Sequence, residues 1–214
     1  MKKRIVFFGD SNTYGYDPRG MFGGRYPAHV RWADRLAKEM DGDWEIVPCG
    51  LNGRCIPAGE RAYEYVDLML QNAGRIDVFA VMLGTNDVVL TMRPDAEAAV
   101  RRMDALLDHL KKKGWPFEIL LIAPAAMAEV HPGPEGCGAD PAAEEQADEF
   151  GRYVRETRKL PARYRELAEK YAVRFADADS WNIPMAYDYT HFSEEGHRIF
   201  AERMARFMRE QLMP

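Results

Sequence analysis

Ile5-Val6-Phe7-Phe8-Gly9-Asp10-Ser11-Asn12 is the stretch on which the fold is read. The apolar residues run without a break and stop at a glycine, after which the chain turns polar. A continuous apolar run, as opposed to an alternating one, is what a strand covered on both faces requires, and such strands belong to parallel sheets flanked by helices. Similar runs follow. Trp44-Glu45-Ile46-Val47 ends at Pro48, Val78-Phe79-Ala80-Val81-Met82-Leu83 ends at Gly84, and Phe117-Glu118-Ile119-Leu120-Leu121-Ile122 stops just before Pro124. Val173-Arg174-Phe175 is a shorter fifth.

Between these runs, apolar residues recur at helical spacing. Ala33, Leu36, Ala37 and Met40 share one face, as do Met103, Leu106, Leu107 and Leu110. Tyr164, Leu167, Ala168 and Tyr171 form a third stripe, and Phe200, Met204, Phe207 and Met208 a fourth. Stripes of this kind are core-facing surfaces. Alternation of strand and helix predicts an α/β fold: a three-layer α/β/α sandwich with right-handed crossovers around a mostly parallel five-stranded sheet. The 214 residues suit one domain spanning 1–214. The segment 124–148, rich in glycine, proline and acidic residues, is too long for an ordinary connection. It reads as a loop insertion serving as a substrate wall, a lid or an interface element.

Composition narrows the partners. The net charge is −5, and the one run of like charge, Lys111-Lys112-Lys113, falls at a helix end, where cations complement the helix dipole. Nucleic acid and anionic membrane are poor partners for such a chain. Three cysteines give neither a disulfide framework nor a zinc spacing. The apolar run at Ile5–Phe8 is too short for a signal peptide or membrane insertion, so a reduced, cytoplasmic protein is expected.

In an open parallel sheet, ligands bind beyond the carboxyl ends of the strands. Three strong runs end there in glycine-flanked polar turns: Gly9-Asp10-Ser11-Asn12, Cys49-Gly50-Leu51-Asn52-Gly53 and Gly84-Thr85-Asn86-Asp87. Of the three serines, only Ser11 directly follows a strand, where its hydroxyl can attack and its N–H can serve an oxyanion. The competing reading is that Asp10 and Ser11 merely cap a helix. Among five histidines, His191 stands out in Asp188-Tyr189-Thr190-His191. A carboxylate three residues upstream can hold one imidazole nitrogen and leave the other to take the serine proton. His197, on the following helix, reads as structural or superficial.

Together these blocks resemble the SGNH (GDSL-type) hydrolase superfamily: Gly9-Asp10-Ser11, Gly53, Gly84-x-Asn86-Asp87 and Asp188-x-x-His191, in that order. Arg31-Trp32, the run Gly50 to Arg54 and Leu83 to Asp87 are similar to its aryl-esterase/acyltransferase branch. The resemblance implies the flavodoxin-like SGNH fold, Ser11 as nucleophile, His191 as general base and Asp188 as the residue orienting it. It further implies an oxyanion hole of the Ser11 N–H, the Gly53 N–H and the Asn86 side-chain amide, no metal or organic cofactor, and a small-molecule ester as substrate. Asn12 stands where the nickname motif has leucine. The segment after Gly53 is shorter than in the acyltransferase branch, which argues against a higher oligomer shared with that branch; a homo-oligomer of another kind stays open. The reaction implied is hydrolysis of short-chain acyl or aryl esters, with acyl transfer to an alcohol as a variant. Carbohydrate O-acetyl esterase, lysophospholipase and thioesterase activities are alternatives within the superfamily. Outside it stand a metallophosphoesterase and a catalytically inactive binding protein of the same fold. A nucleotide-binding module fits poorly, since Gly9 to Gly15 is neither Gly-x-Gly-x-x-Gly nor a phosphate loop.

Overall fold

A computed structural model of the chain describes residues 1–20, 24–129 and 150–213. Its strands are β1 (Lys3–Gly9), β2 (Trp44–Gly50), β3 (Val78–Met82), β4 (Glu118–Ala123) and β5 (Arg174–Asp177). They form one sheet in the order β2-β1-β3-β4-β5, and every pairing is parallel. The helices are α1 (Ser11–Tyr14), α2 (Trp32–Glu39), α3 (Glu60–Asn72), α4 (Thr85–Val89), α5 (Ala96–Lys113), α6 (150–157), α7 (Leu160–Tyr171) and α8 (Glu194–Gln211).

Alternation along each strand divides the core in two. Val6 and Phe8 of β1 join Phe79, Val81 and Leu121 on one face, covered by α3, α5 and α7 through Val66, Leu70, Met103, Leu107 and Tyr164. Ile5 and Phe7 join Ala80, Leu120 and Ile122 on the other, covered by α2 and α8 through Trp32, Leu36, Phe200, Met204 and Met208. Each fully buried phenylalanine in these layers contributes about 1.5–3 kcal/mol relative to exposure, which is why the apolar runs are continuous.

The structure departs from the sequence reading in detail. β2 continues through Pro48 to Gly50, because it is an edge strand and a proline without an N–H is tolerated there. Helix α3 had no legible stripe: Tyr65 and Leu68 are exposed apolar residues that blur its inward face of Val66 and Leu70. Lys111–Lys113 do end a helix, α5, closed by Gly114 in the left-handed conformation. Most of the predicted insertion at 124–148 lies outside the described residues. Among the described residues no helix is long and apolar enough to cross a membrane.

Strand order reverses at β1, whose neighbours are β2 on one side and β3 on the other. The turns after these three strands therefore lie at the switch point, where a ligand is expected.

Candidate active site

The first turn is made by Gly9. A Cβ at that position would lie 2.0 Å from Thr13 Oγ1, so only glycine lets the chain pass directly from β1 into α1. Asp10 caps α1, its carboxylate accepting the Asn12 N–H at 2.9 Å. The capping role thus belongs to Asp10, while Ser11 occupies the first helical position, where its N–H has no intrahelical acceptor. Asp10 is buried, and desolvation pushes its pKa up to about 6 against the pull of the Asn12 N–H and the charges of His191 and Arg54.

Asp188 and His191 approach from a loop after β5 that turns at Tyr189, in the left-handed conformation with φ 60°. One Asp188 oxygen accepts the N–H groups of Thr190 and His191 at 3.2 and 3.0 Å. The other is 2.6 Å from His191 Nδ1. Burial would raise the Asp188 carboxyl, but the side-chain and backbone bonds from His191 outweigh it and hold the group below the usual carboxylate value. With Nδ1 donating to Asp188, Nε2 is left to accept, and it lies 2.9 Å from Ser11 Oγ. The Tyr16 ring packs against the imidazole, with centroids 4.5 Å apart.

The remaining turns flank Ser11. Gly53 adopts φ 71°, closing a tight turn in which Arg54 N–H bonds Leu51 O at 3.1 Å. Asn86, early in α4, donates one Nδ2 hydrogen to Arg54 O at 3.0 Å. That bond holds the Asn86 amide in place, and the amide carries a second hydrogen. Next to it, buried Asp87 accepts the Ile56 N–H at 2.9 Å and Arg102 Nη1 at 2.8 Å. Burial raises the Asp87 carboxyl, while these two donors draw it back. Asn86 and Asp87 therefore grip the Gly53–Ile56 segment at two points. Arg54 reaches the other way: Nη1 donates to Gly9 O at 2.7 Å and also bonds Cys49 O, with the guanidinium 4.1 Å over the Phe8 ring. One side chain thus ties together the carboxyl ends of β1 and β2.

All five sequence-predicted site residues lie on this one sheet edge. Ser11, His191 and Asp188 form a continuous hydrogen-bonded row, and Gly53 and Asn86 sit on the turns either side of Ser11. Capping of α1 by Asp10 fits the competing reading for that residue alone, whereas the bracing roles of Arg54 and Asp87 are not legible in the sequence, although both lie within or beside the quoted motifs. His197 is fully buried, its Nδ1 accepts the Trp32 N–H at 3.3 Å, and desolvation pushes its pKa down to about 3, so it is structural. Among the described residues no three His, Cys, Asp or Glu side chains gather as a metal site.

The model of the GDSL-like lipase/acylhydrolase family matches residues 7–199. The chain belongs to that family. Among solved structures, this GDSL-like hydrolase is similar to the native aryl esterase of M. smegmatis, at 26% identity and TM-score 0.76, covering 97% of this chain and 99% of that one. It is also similar to a carbohydrate acetylesterase family member from Sinorhizobium meliloti, at 25% identity and TM-score 0.78, covering 99% and 100%. A lipase/acylhydrolase from Enterococcus faecalis shares the fold, at 15% identity and TM-score 0.65, covering 98% and 96%. No curated protein matches the chain. The family and these neighbours make it a serine ester hydrolase of the SGNH type.

Proposed function

We propose that this hydrolase cleaves small acyl esters through an acyl-enzyme on Ser11. The observation that carries the reading is the row Ser11 Oγ, His191 Nε2 and Asp188, with contacts of 2.9 and 2.6 Å. Ser11 Oγ forms a bond to the ester carbonyl carbon while its proton passes to His191 Nε2. The carbonyl oxygen becomes an oxyanion, stabilised by the N–H groups of Ser11 and Gly53 and the second amide hydrogen of Asn86. Collapse breaks the carbon–alkoxide bond, and His191 returns the proton to the leaving oxygen. Water then attacks the acyl carbon, gives its proton to Nε2, and Ser11 leaves with that proton restored. Asp188 stabilises the imidazolium in both halves and keeps Nδ1 protonated.

Aryl and short-chain acyl esters are the proposed substrates, and the likeness to a carbohydrate acetylesterase brings acetylated sugars into the same reading. An alcohol in place of water would make the second half an acyl transfer. A cytoplasmic location belongs to the same proposal, supported by the sparse cysteines, of which Cys49 and Cys55 are free thiols. Ser11→Ala should abolish both hydrolysis of p-nitrophenyl acetate and labelling by a fluorophosphonate probe. Labelling at Ser180 or Ser193 in the wild type would refute the assignment. A panel of p-nitrophenyl esters, run beside acetylated xylose and sialic acid, should show acetyl and butyryl groups reacting faster than dodecanoyl. Faster turnover of the dodecanoyl ester would refute the small-acyl reading.

A further inference from the structure

Asn12 follows the nucleophile and has no role in the reaction as derived. It is 7% exposed, and four of its polar groups are engaged. Its side-chain Oδ1 accepts the Phe192 N–H at 2.9 Å, and its Nδ2 donates to Thr190 O at 3.3 Å. Those two groups are the main-chain neighbours of His191, one on each side. The Asn12 N–H is held by the Asp10 carboxylate at 2.9 Å, and its carbonyl accepts Trp32 Nε1–H at 2.8 Å. Trp32 is itself locked in the core, against Phe7 at 5.0 Å and Phe200 at 4.6 Å between centroids. A rigid path therefore runs from the core through Trp32 and Asn12 to the backbone of His191.

The loop carrying His191 has internal bonds, such as Ala186 N–H to His191 O at 2.7 Å and Ser193 N–H to Pro184 O at 3.0 Å. They set the shape of the loop but not its distance from α1. Among the described residues, the hydrogen bonds that join this loop to α1 are those of the Asn12 side chain and the Ser11–His191 contact itself. The latter is lost once Ser11 is acylated, yet Nε2 must stay in place to take the proton of the incoming water. Resting on the triad reading above, we propose that Asn12 is a positioning residue for the general base. Its carboxamide clamps the main chain on both sides of His191 and keeps Nε2 in reach of the reacting oxygen in both half-reactions.

The test is a pair of substitutions, Asn12→Ala and Asn12→Asp, each made alone and with His191→Ala, assayed on p-nitrophenyl acetate. Asn12→Ala should lower kcat by roughly 10- to 100-fold while KM stays within about threefold, the cost expected of a displaced catalytic group. In the His191→Ala background the same change should alter the residual rate by less than about twofold, since no base remains to be positioned. Asn12→Asp keeps the size and the acceptor for the Phe192 N–H but sets a carboxylate oxygen against Thr190 O. It too should lose kcat, and its added charge should move the acid limb of the kcat/KM profile to higher pH by favouring the imidazolium. A folded Asn12→Ala with kcat within twofold of wild type, or equal losses in both backgrounds, would overturn the proposal. Should Asn12→Ala fail to fold, an Asn12→Asp protein with unchanged kcat would overturn it alone. Wild-type activity in His191→Ala would instead sink the triad reading, so the two failures are distinguishable.

Discussion

Replacing Asp188 by asparagine is the sharpest perturbation of the proposed triad. The substitution preserves shape, and Oδ1 can still accept the N–H groups of Thr190 and His191 that lie at 3.2 and 3.0 Å. What changes is the atom 2.6 Å from His191 Nδ1. An amide NH2 there donates, so Nδ1 must become the acceptor and the proton moves to Nε2. The imidazole then points a hydrogen at Ser11 Oγ and cannot take one, and the charge that stabilised the imidazolium is gone. In the serine-protease triad this swap costs about 10⁴ in kcat, which corresponds to about 5.5 kcal/mol of transition-state stabilisation. Two neighbouring carboxylates serve as controls. Asp179 accepts the Ala126 N–H at 2.9 Å, a bond an asparagine oxygen reproduces. Asp177 accepts the Ser180 N–H at 3.3 Å and pairs with the exposed Arg165 at 3.5 Å, a surface contact worth less than about 1 kcal/mol. Steady-state hydrolysis of p-nitrophenyl acetate, with folding followed by circular dichroism, should therefore give a loss of several thousand-fold for Asp188→Asn and only a few-fold for Asp177→Asn or Asp179→Asn. If folded Asp179→Asn proved the slower enzyme, Asp188 would not be the third member.

Asn86→Ala should lower kcat by roughly 10²–10³ with KM little changed, because in the proposed reaction the amide acts on the oxyanion and not on the ground state; a mutant that lost only substrate affinity would contradict the role. Asp10 makes a prediction about stability and pH. Its folded pKa of about 6 lies above the ordinary aspartate value of 3.8, so the folded state binds the proton more tightly. Stability from this group is present at low pH and falls as pH rises from about 4 to about 6, by on the order of 3 kcal/mol. Asp10→Asn, which can still cap α1, should remove that slope and raise stability at pH 7 in urea denaturation; an unchanged pH profile would show that burial does not govern Asp10.

Local sequence alone determined much of this protein. Continuous apolar runs specify strands buried on both faces, and stripes at Met103–Leu110 or Phe200–Met208 specify the helices that cover them, because both periodicities follow from backbone geometry within a few residues. Asp188 and His191 could be paired on paper for the same reason: three residues on one loop are close in any fold. Other features depended on which strands became neighbours. Pro48 can lie within β2 only because β2 is at the edge of the sheet. His197 is silent as a base only because α2 and the Tyr26 and Phe192 rings bury it. The bonds of Arg54 to Gly9, of Asn86 to Arg54 and of Asn12 to Thr190 and Phe192 span 45, 32 and up to 180 residues. No periodicity or spacing encodes such contacts. They exist because the order β2-β1-β3 lays three polar turns side by side, and the loop after β5 meets the first of them at Ser11 and Asn12.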